Sequence, residues 1–235
     1  MATQFAAASH ADTTPLVTSA KAGPRAWAAL AVLMLPVLLV SVDNTVLSFA
    51  LPQIALHLEP TSAQQLWIVD AYPLVLAGLL VTMGSLGDRF GRRRMLLIGA
   101  SGFGVLSIAA AFVPSAELLI AARVGLGFFG AMLMPATLSL LRSIFRDREQ
   151  RRLAIAVWAA GFSAGMALGP IVGGFLLEHF AWGSVFLLAV PVLLPLLGLA
   201  PFLVPVSRRP NPGRLAILSL VLSLSAMVPL VAPIK

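Results

Sequence analysis

Four ionisable side chains lie within or at the edge of long apolar stretches, where a charge is costly and therefore points to a function. They are Asp43, Asp70, Arg123 and Glu178. Burial in apolar surroundings disfavours the charged form of a carboxyl group, so such a group can bind and release a proton near neutral pH. The sequence therefore predicts proton chemistry at Asp43. The alternative is that Asp43 caps a helix break or lies at the outer interface.

Arg123 is expected to pair with an acid, because a guanidinium group does not lose its proton in proteins and must face protein or water. We expect Asp43 to be that acid. The alternative is that Arg123 extends its charge to the edge of the apolar layer while its stem stays inside.

Asp70 lies between two aromatic residues, Trp67 and Tyr72, and admits two interpretations. In the first, Asp70 attracts a cationic ligand and the two aromatic rings contact it through cation–π interactions. In the second, Asp70 is a first-turn carboxylate favoured by the helix dipole, and the aromatic residues anchor the helix at an interface.

The elements that position these residues are helices that cross a membrane. The chain is 59% hydrophobic and 11% charged, whereas soluble domains are about 25% charged. A helix needs about 20 apolar residues to span a bilayer, and a membrane strand needs about half as many. The predicted spans are residues 27–50, 65–83, 95–113, 118–140, 153–177, 184–206 and 215–234.

The basic residues of this +7 chain lie on one side of the predicted spans, except Arg123 and the terminal Lys235. The positive-inside rule then makes the N-terminus cytoplasmic and the chain a multi-pass protein of the cell membrane. Arginines so placed set topology and contact anionic lipid rather than nucleic acid. There is no cysteine. The histidines are scattered, so we expect no metal site, and the spans contain no nucleophile–base set of an enzyme.

Two glycine-containing segments complete the set of candidates. The first is a tight loop between spans 2 and 3, with Gly84, Asp88, Arg89, Gly91 and Arg92. The second lies in span 5, where glycines recur every four residues from 161 to 173 and would form a groove along one helix face. Pro170 within it favours a kink. The alternative is ordinary close helix packing without a gating role.

Taken in order, these segments resemble motifs of the major facilitator superfamily, and specifically of its fourteen-span drug:proton antiporter family, which includes quaternary-ammonium exporters. The loop resembles the pattern G-x-L-x-D-R-x-G-R-[RK] between spans 2 and 3. The resemblance covers residues 27–206. The segments that carry it are residues 43–52, 65–72, 84–93, 119–131 and 165–174.

The resemblance implies an all-α membrane protein with a six-helix bundle of two inverted three-helix repeats, followed by a seventh span. It implies proton-coupled efflux of lipophilic or cationic drugs, with the proton gradient as energy source and no cofactor. Asp43 and Arg123 would couple protons, and Asp70, Trp67 and Tyr72 would contact substrate. The loop residues named above would form a cytoplasmic gate. The bending antiporter helix would contain Gly165, Gly169, Pro170, Gly173 and Gly174.

The expected organisation has three parts: a disordered cytoplasmic tail (1–26), the bundle (27–206), and a linker with the seventh span (207–235). Substrate sites of this family lie between two bundles. We therefore expect the chain to need a missing C-terminal half or a second chain, besides the lipid bilayer and lipophilic cations, as partners. The alternatives are a membrane fragment that does not transport, and a carrier of another substrate class.

Overall fold

A computed structural model describes residues 21–205 of the 235-residue chain. Within this range the chain is helical and contains no strand. The helices are α1 (Pro24–Leu58), α2 (Ser62–Phe90), α3 (Arg92–Ala111), α4 (Ala116–Ile144), α5 (Arg148–His179), α6 (Ser184–Leu187) and α7 (Ala189–Leu203).

Six segments between residues 21 and 205 are long and apolar enough to cross a membrane. The sixth consists of α6 and α7, which follow each other across Leu188. The six predicted spans in this range are therefore confirmed. The predicted seventh span, the linker before it, and residues 1–20 of the predicted tail lie outside the described residues.

The helices extend beyond the predicted apolar stretches into polar flanking residues. α1 begins at Pro24, inside the predicted tail. Proline suits a first helical position, where its missing N–H would have no partner in any case. At the start of α2, Thr61 and Gln64 form a reciprocal capping box that satisfies backbone donors. α1 also continues through Pro36 and Pro52.

α1 and α4 are the most buried helices and form the centre of the bundle. α5 packs on α1 and α2 packs on α4, while α3 packs on α4 and α7 packs on α1. When the first three spans are exchanged with the last three, the pairing of α1 with α5 becomes that of α4 with α2. In the same way, the pairing of α3 with α4 becomes that of α7, in the sixth span, with α1. This arrangement agrees with the expected pair of three-helix repeats.

The two ends of the bundle differ in charge. One end holds the start of α1, the α2–α3 and α4–α5 connections and the end of α7. We call it the arginine end, after Arg25, Arg92, Arg93 and Arg146. There, the backbone N–H of Ala22 donates to Gln150 Oε1 at 2.7 Å. At the opposite end, Gln64 Nε2 donates to Glu117 Oε1 at 2.6 Å and joins the starts of α2 and α4.

Candidate functional site

An ion pair joins the two central helices inside the bundle. Arg123 on α4 donates from Nη1 to Oδ2 of Asp43 on α1 at 2.7 Å. The side chains are only 1% and 9% exposed for Arg123 and Asp43 respectively. The expected pairing of these residues is therefore observed, with the guanidinium group enclosed by protein. Because both side chains are enclosed by protein, Asp43 does not lie at the outer interface. For the same reason, Arg123 does not extend its charge towards the edge of the membrane.

Arg123 is also held by α2. Its Nε donates to the backbone carbonyl of Ile68 at 3.1 Å, and its Cζ lies 4.4 Å from the centre of the Tyr72 ring. A cation over an aromatic face is stabilised by the ring quadrupole, more strongly when water is excluded. Three helices thus meet at one guanidinium group. Because arginine keeps its proton, Asp43 is the member of the pair that can gain or lose one.

Glycines on α4 allow α2 to approach Arg123 this closely. Gly127 and Gly130 lie on the same face of α4 as Arg123, at helical spacings of four and seven. A Cβ atom at Gly127 would lie 2.7 Å from the carbonyl oxygen of Tyr72, and one at Gly130 would lie 3.4 Å from the Tyr72 ring. The spacing of these two glycines from Arg123 is the sequence signal that indicates a close approach of another helix at this point.

The three residues predicted to contact substrate are divided between two places. Trp67 and Asp70 are partly buried and, three residues apart, are neighbours on one face of α2. Tyr72 points elsewhere and has no exposed surface. Its hydroxyl makes no hydrogen bond to any described residue, although its ring contacts Arg123. The structure thus associates Tyr72 with the ion pair, whereas Trp67 and Asp70 keep partly accessible positions. Substrate contact stays a prediction for all three.

The predicted gating loop is held to the end of α4. Arg92 Nη2 lies 2.8 Å from Asp88 Oδ1. Its Nη1 donates to the carbonyl of Ser139 near the end of α4 at 3.1 Å. Between Asp88 and Arg92 the backbone turns at Gly91, whose φ of 103° is a conformation that residues with a side chain rarely adopt. The Ser139 carbonyl is a partner that the sequence alone did not indicate.

The other two residues of the loop have different surroundings. Gly84 lies on α2 opposite Pro135 of α4, where an added Cβ would be 3.4 Å from the proline ring. Arg89 is exposed, and its guanidinium lies 6.0 Å from the ring centre of Phe90. A gating role for this loop stays a prediction.

The glycine face of α5 lies against α1, as the four-residue spacing indicates. An added Cβ would contact Met34 at Gly161, Ser41 at Gly165, Thr45 at Gly169 and Val46 at Gly173. The predicted groove is therefore present, and α1 fills it.

Pro170 and Gly174 lie on the exposed side of α5, and a Cβ at Gly174 would have no neighbour within 4 Å. Bending at Pro170 stays a prediction. Glu178, near the end of α5, is exposed. In the described range, no cluster of three or more His, Asp or Glu side chains is placed to hold a metal ion.

Comparison with known proteins agrees with this fold. The chain matches the family model of the Major Facilitator Superfamily over residues 33–231. It is 67% identical over 211 residues to the multidrug efflux pump LfrA of Mycolicibacterium smegmatis, an alignment that covers 90% of this chain and 42% of that protein. It is 46% identical over 193 residues to the methyl viologen resistance protein SmvA of Salmonella typhimurium, covering 81% of this chain and 39% of that protein.

A third relative is the tetracenomycin C resistance and export protein of Streptomyces glaucescens, which is 39% identical over 168 residues, 72% of this chain and 31% of that protein. The match of the family model over most of the sequence means that the chain belongs to the Major Facilitator Superfamily. It is a multi-pass membrane protein with the six-span bundle of that superfamily. The chain spans about two fifths or less of the length of these relatives.

Proposed function

We propose that this bundle takes part in proton-coupled export of lipophilic cations, with Asp43 as the group that carries the proton. The observation that carries the proposal is the buried Asp43–Arg123 pair between the two central helices. An ion pair in a membrane interior is costly to keep. The charge of the Asp43 carboxylate holds two spans together, so binding of a proton to it would change how these spans pack.

The physical step is the loss of one charge. When Asp43 is ionised, its carboxylate binds Arg123 and ties α1 to α4. When Asp43 is protonated, the guanidinium keeps its bond to the Ile68 carbonyl and its contact with the Tyr72 ring, both on α2. Protonation therefore weakens the contact between α1 and α4 but preserves the contacts between α4 and α2. A proton thereby shifts the population between two arrangements of α1 against its neighbours.

The proposed substrates are lipophilic cations. Asp70 is a partly buried carboxylate beside Trp67 on one face of α2, a combination that attracts a cation with an apolar body. The relatives named for multidrug efflux and for methyl viologen resistance support export of such compounds.

Export needs a second bundle, because substrate sites in transporters of this superfamily lie between the two six-span halves. The relatives are more than twice as long as the matched segment, which supports a second bundle in the active protein. We also propose that the arginine end is cytoplasmic, by the positive-inside rule.

The test is transport of ethidium in proteoliposomes with an imposed proton gradient. One preparation holds the 235-residue chain. A second holds the chain joined to the part of the Mycolicibacterium smegmatis relative that the alignment does not cover. We expect gradient-dependent ethidium transport by the joined protein, and its loss in Asp43→Asn. The matched control is Glu178→Gln, which removes the charge of an exposed carboxylate and should leave transport unchanged.

Each outcome separates the alternatives. Transport by the joined protein that persists in Asp43→Asn would overturn the proton-coupling role of Asp43. Absence of transport by the joined, folded protein would favour a bundle that does not export cations. Activity of the 235-residue chain by itself would mean that two copies pair, and crosslinking would then detect the dimer.

A further inference from the structure

A basic groove lies at the arginine end, away from the Asp43–Arg123 pair. Its volume is about 620 Å³, and its walls come from the start of α1, the start of α3, the end of α4 and the end of α7. Three arginines line it, namely Arg25, Arg93 and Arg146, and none of the described residues that line it is acidic. The described side chains that line the groove therefore carry a net positive charge.

Two of these arginines are positioned by the last turn of α7. Arg25 donates from Nη2 to the carbonyl of Phe202 at 2.6 Å, and Arg93 donates from Nη1 to the carbonyl of Val204 at 3.3 Å. These bonds neutralise the negative end of the α7 dipole and use one donor nitrogen of each arginine. A guanidinium group has further N–H donors in a planar fork that suits phosphate oxygens. Arg146 is exposed and makes no hydrogen bond or ion pair with any group of residues 21–205.

The groove also has an apolar edge. Phe202 lines it and is 73% exposed, and Pro201 and Leu203 lie beside it. These residues end the sixth membrane-spanning segment, Ser184–Leu203. Because an apolar span ends here, we expect the hydrocarbon layer to meet the headgroups at this level. The groove has cations on one side and apolar surface on the other. A free anion would use only the cations, whereas a phospholipid would use both parts.

We propose that this groove is a binding site for an anionic phospholipid, whose phosphate contacts Arg25, Arg93 and Arg146 and whose acyl chain lies along Phe202. The lipid bridges α1, α3, α4 and α7, which belong to both three-helix repeats. The proposal requires a membrane-embedded bundle but does not depend on which substrate is transported, or on whether protons drive transport.

The experiment measures lipid binding to the purified 235-residue chain by native mass spectrometry from detergent. The probes are phosphatidylglycerol, phosphatidylcholine and inorganic phosphate. We expect phosphatidylglycerol to bind at least about five-fold more tightly than phosphatidylcholine. Neutralising the groove with Arg25→Gln, Arg93→Gln and Arg146→Gln should weaken phosphatidylglycerol binding by about ten-fold or more. The matched control changes three exposed arginines of the same end that do not line the groove, with Arg94→Gln, Arg148→Gln and Arg152→Gln.

Two further variants keep the test decisive. If the triple variant fails to fold, as judged by helix content in circular dichroism, Arg146→Gln replaces it. The Arg146 side chain is exposed and makes no hydrogen bond or ion pair to the described part of the chain, so this change should not disturb folding. This single change should weaken phosphatidylglycerol binding about five-fold. Phe202→Ala should weaken phosphatidylglycerol binding and leave the binding of inorganic phosphate unchanged.

The proposal fails if groove and control variants lose phosphatidylglycerol equally, or if phosphatidylcholine binds as tightly as phosphatidylglycerol. It also fails if inorganic phosphate competes fully with the lipid and Phe202→Ala has no effect, since the groove would then bind a free anion.

Discussion

Replacing Asp43 with Asn leaves the Arg123 guanidinium without an anion in a place where it is 1% exposed. Removing one partner of a buried ion pair costs about 3–5 kcal/mol. The Asn side chain can still accept a hydrogen bond from Arg123, and the contacts of Arg123 with the Ile68 carbonyl and the Tyr72 ring remain. We therefore expect the lower end of that range, about 3 kcal/mol, which is roughly a hundred-fold change in the unfolding equilibrium.

The double variant Asp43→Asn/Arg123→Met provides the decisive comparison. Replacing both members of a buried pair with neutral side chains is often close to neutral for stability, since no uncompensated charge remains. We expect the double variant to cost clearly less than the two single changes added together, although it does not return to the parent's stability, because Arg123→Met also removes the contact with the Tyr72 ring. The matched control is Asp70→Asn, a carboxylate that is only partly buried, with an expected cost of about 0.5 kcal/mol or less.

The assay is denaturant titration of the purified chain in detergent micelles, followed by helix content in circular dichroism. Five proteins are compared: the parent, Asp43→Asn, Arg123→Met and the double variant form a double-mutant cycle, and Asp70→Asn is the control. The reasoning would be refuted if Asp43→Asn cost no more than Asp70→Asn. It would also be refuted if the double variant were as unstable as the sum of the two single changes, because the pair would then contribute no coupling energy.

Two further expectations follow from contacts around the pair and along α5. Tyr72→Leu should lower the free energy of unfolding by about 2 kcal/mol or more, because it removes the cation–π contact with Arg123. Tyr72→Phe keeps the ring and removes only a hydroxyl that makes no hydrogen bond to a described residue, so it should differ from the parent by less than about 0.5 kcal/mol in the same titration. Equal losses in the two variants would contradict the cation–π role. Gly169→Ala should lower the melting temperature, because the added methyl group would overlap Thr45, while Gly174→Ala meets open space and should match or slightly exceed the parent.

The sequence predicted the spans, their order and the concentration of arginine at one end. Hydropathy depends on local composition, and about 20 consecutive apolar residues have few alternatives to a membrane helix. The glycine spacing in α5 likewise predicted a groove, since residues four apart share a helix face wherever the helix lies. Part of the candidate site could also be predicted from the sequence. Asp43 and Arg123 are conspicuous because ionisable residues are rare in apolar stretches.

Only the tertiary structure decided which residues surround these charges. The Ile68 carbonyl and the Tyr72 ring reach Arg123 because Gly127 and Gly130 let α2 pack closely on α4. The same packing separates Tyr72 from Trp67 and Asp70. Such contacts join residues far apart in the chain, and they depend on the rotation and separation of whole helices. Hydropathy and spacing within one helix carry no information about either quantity, so the partners of Arg123 could be assigned only from the packed bundle.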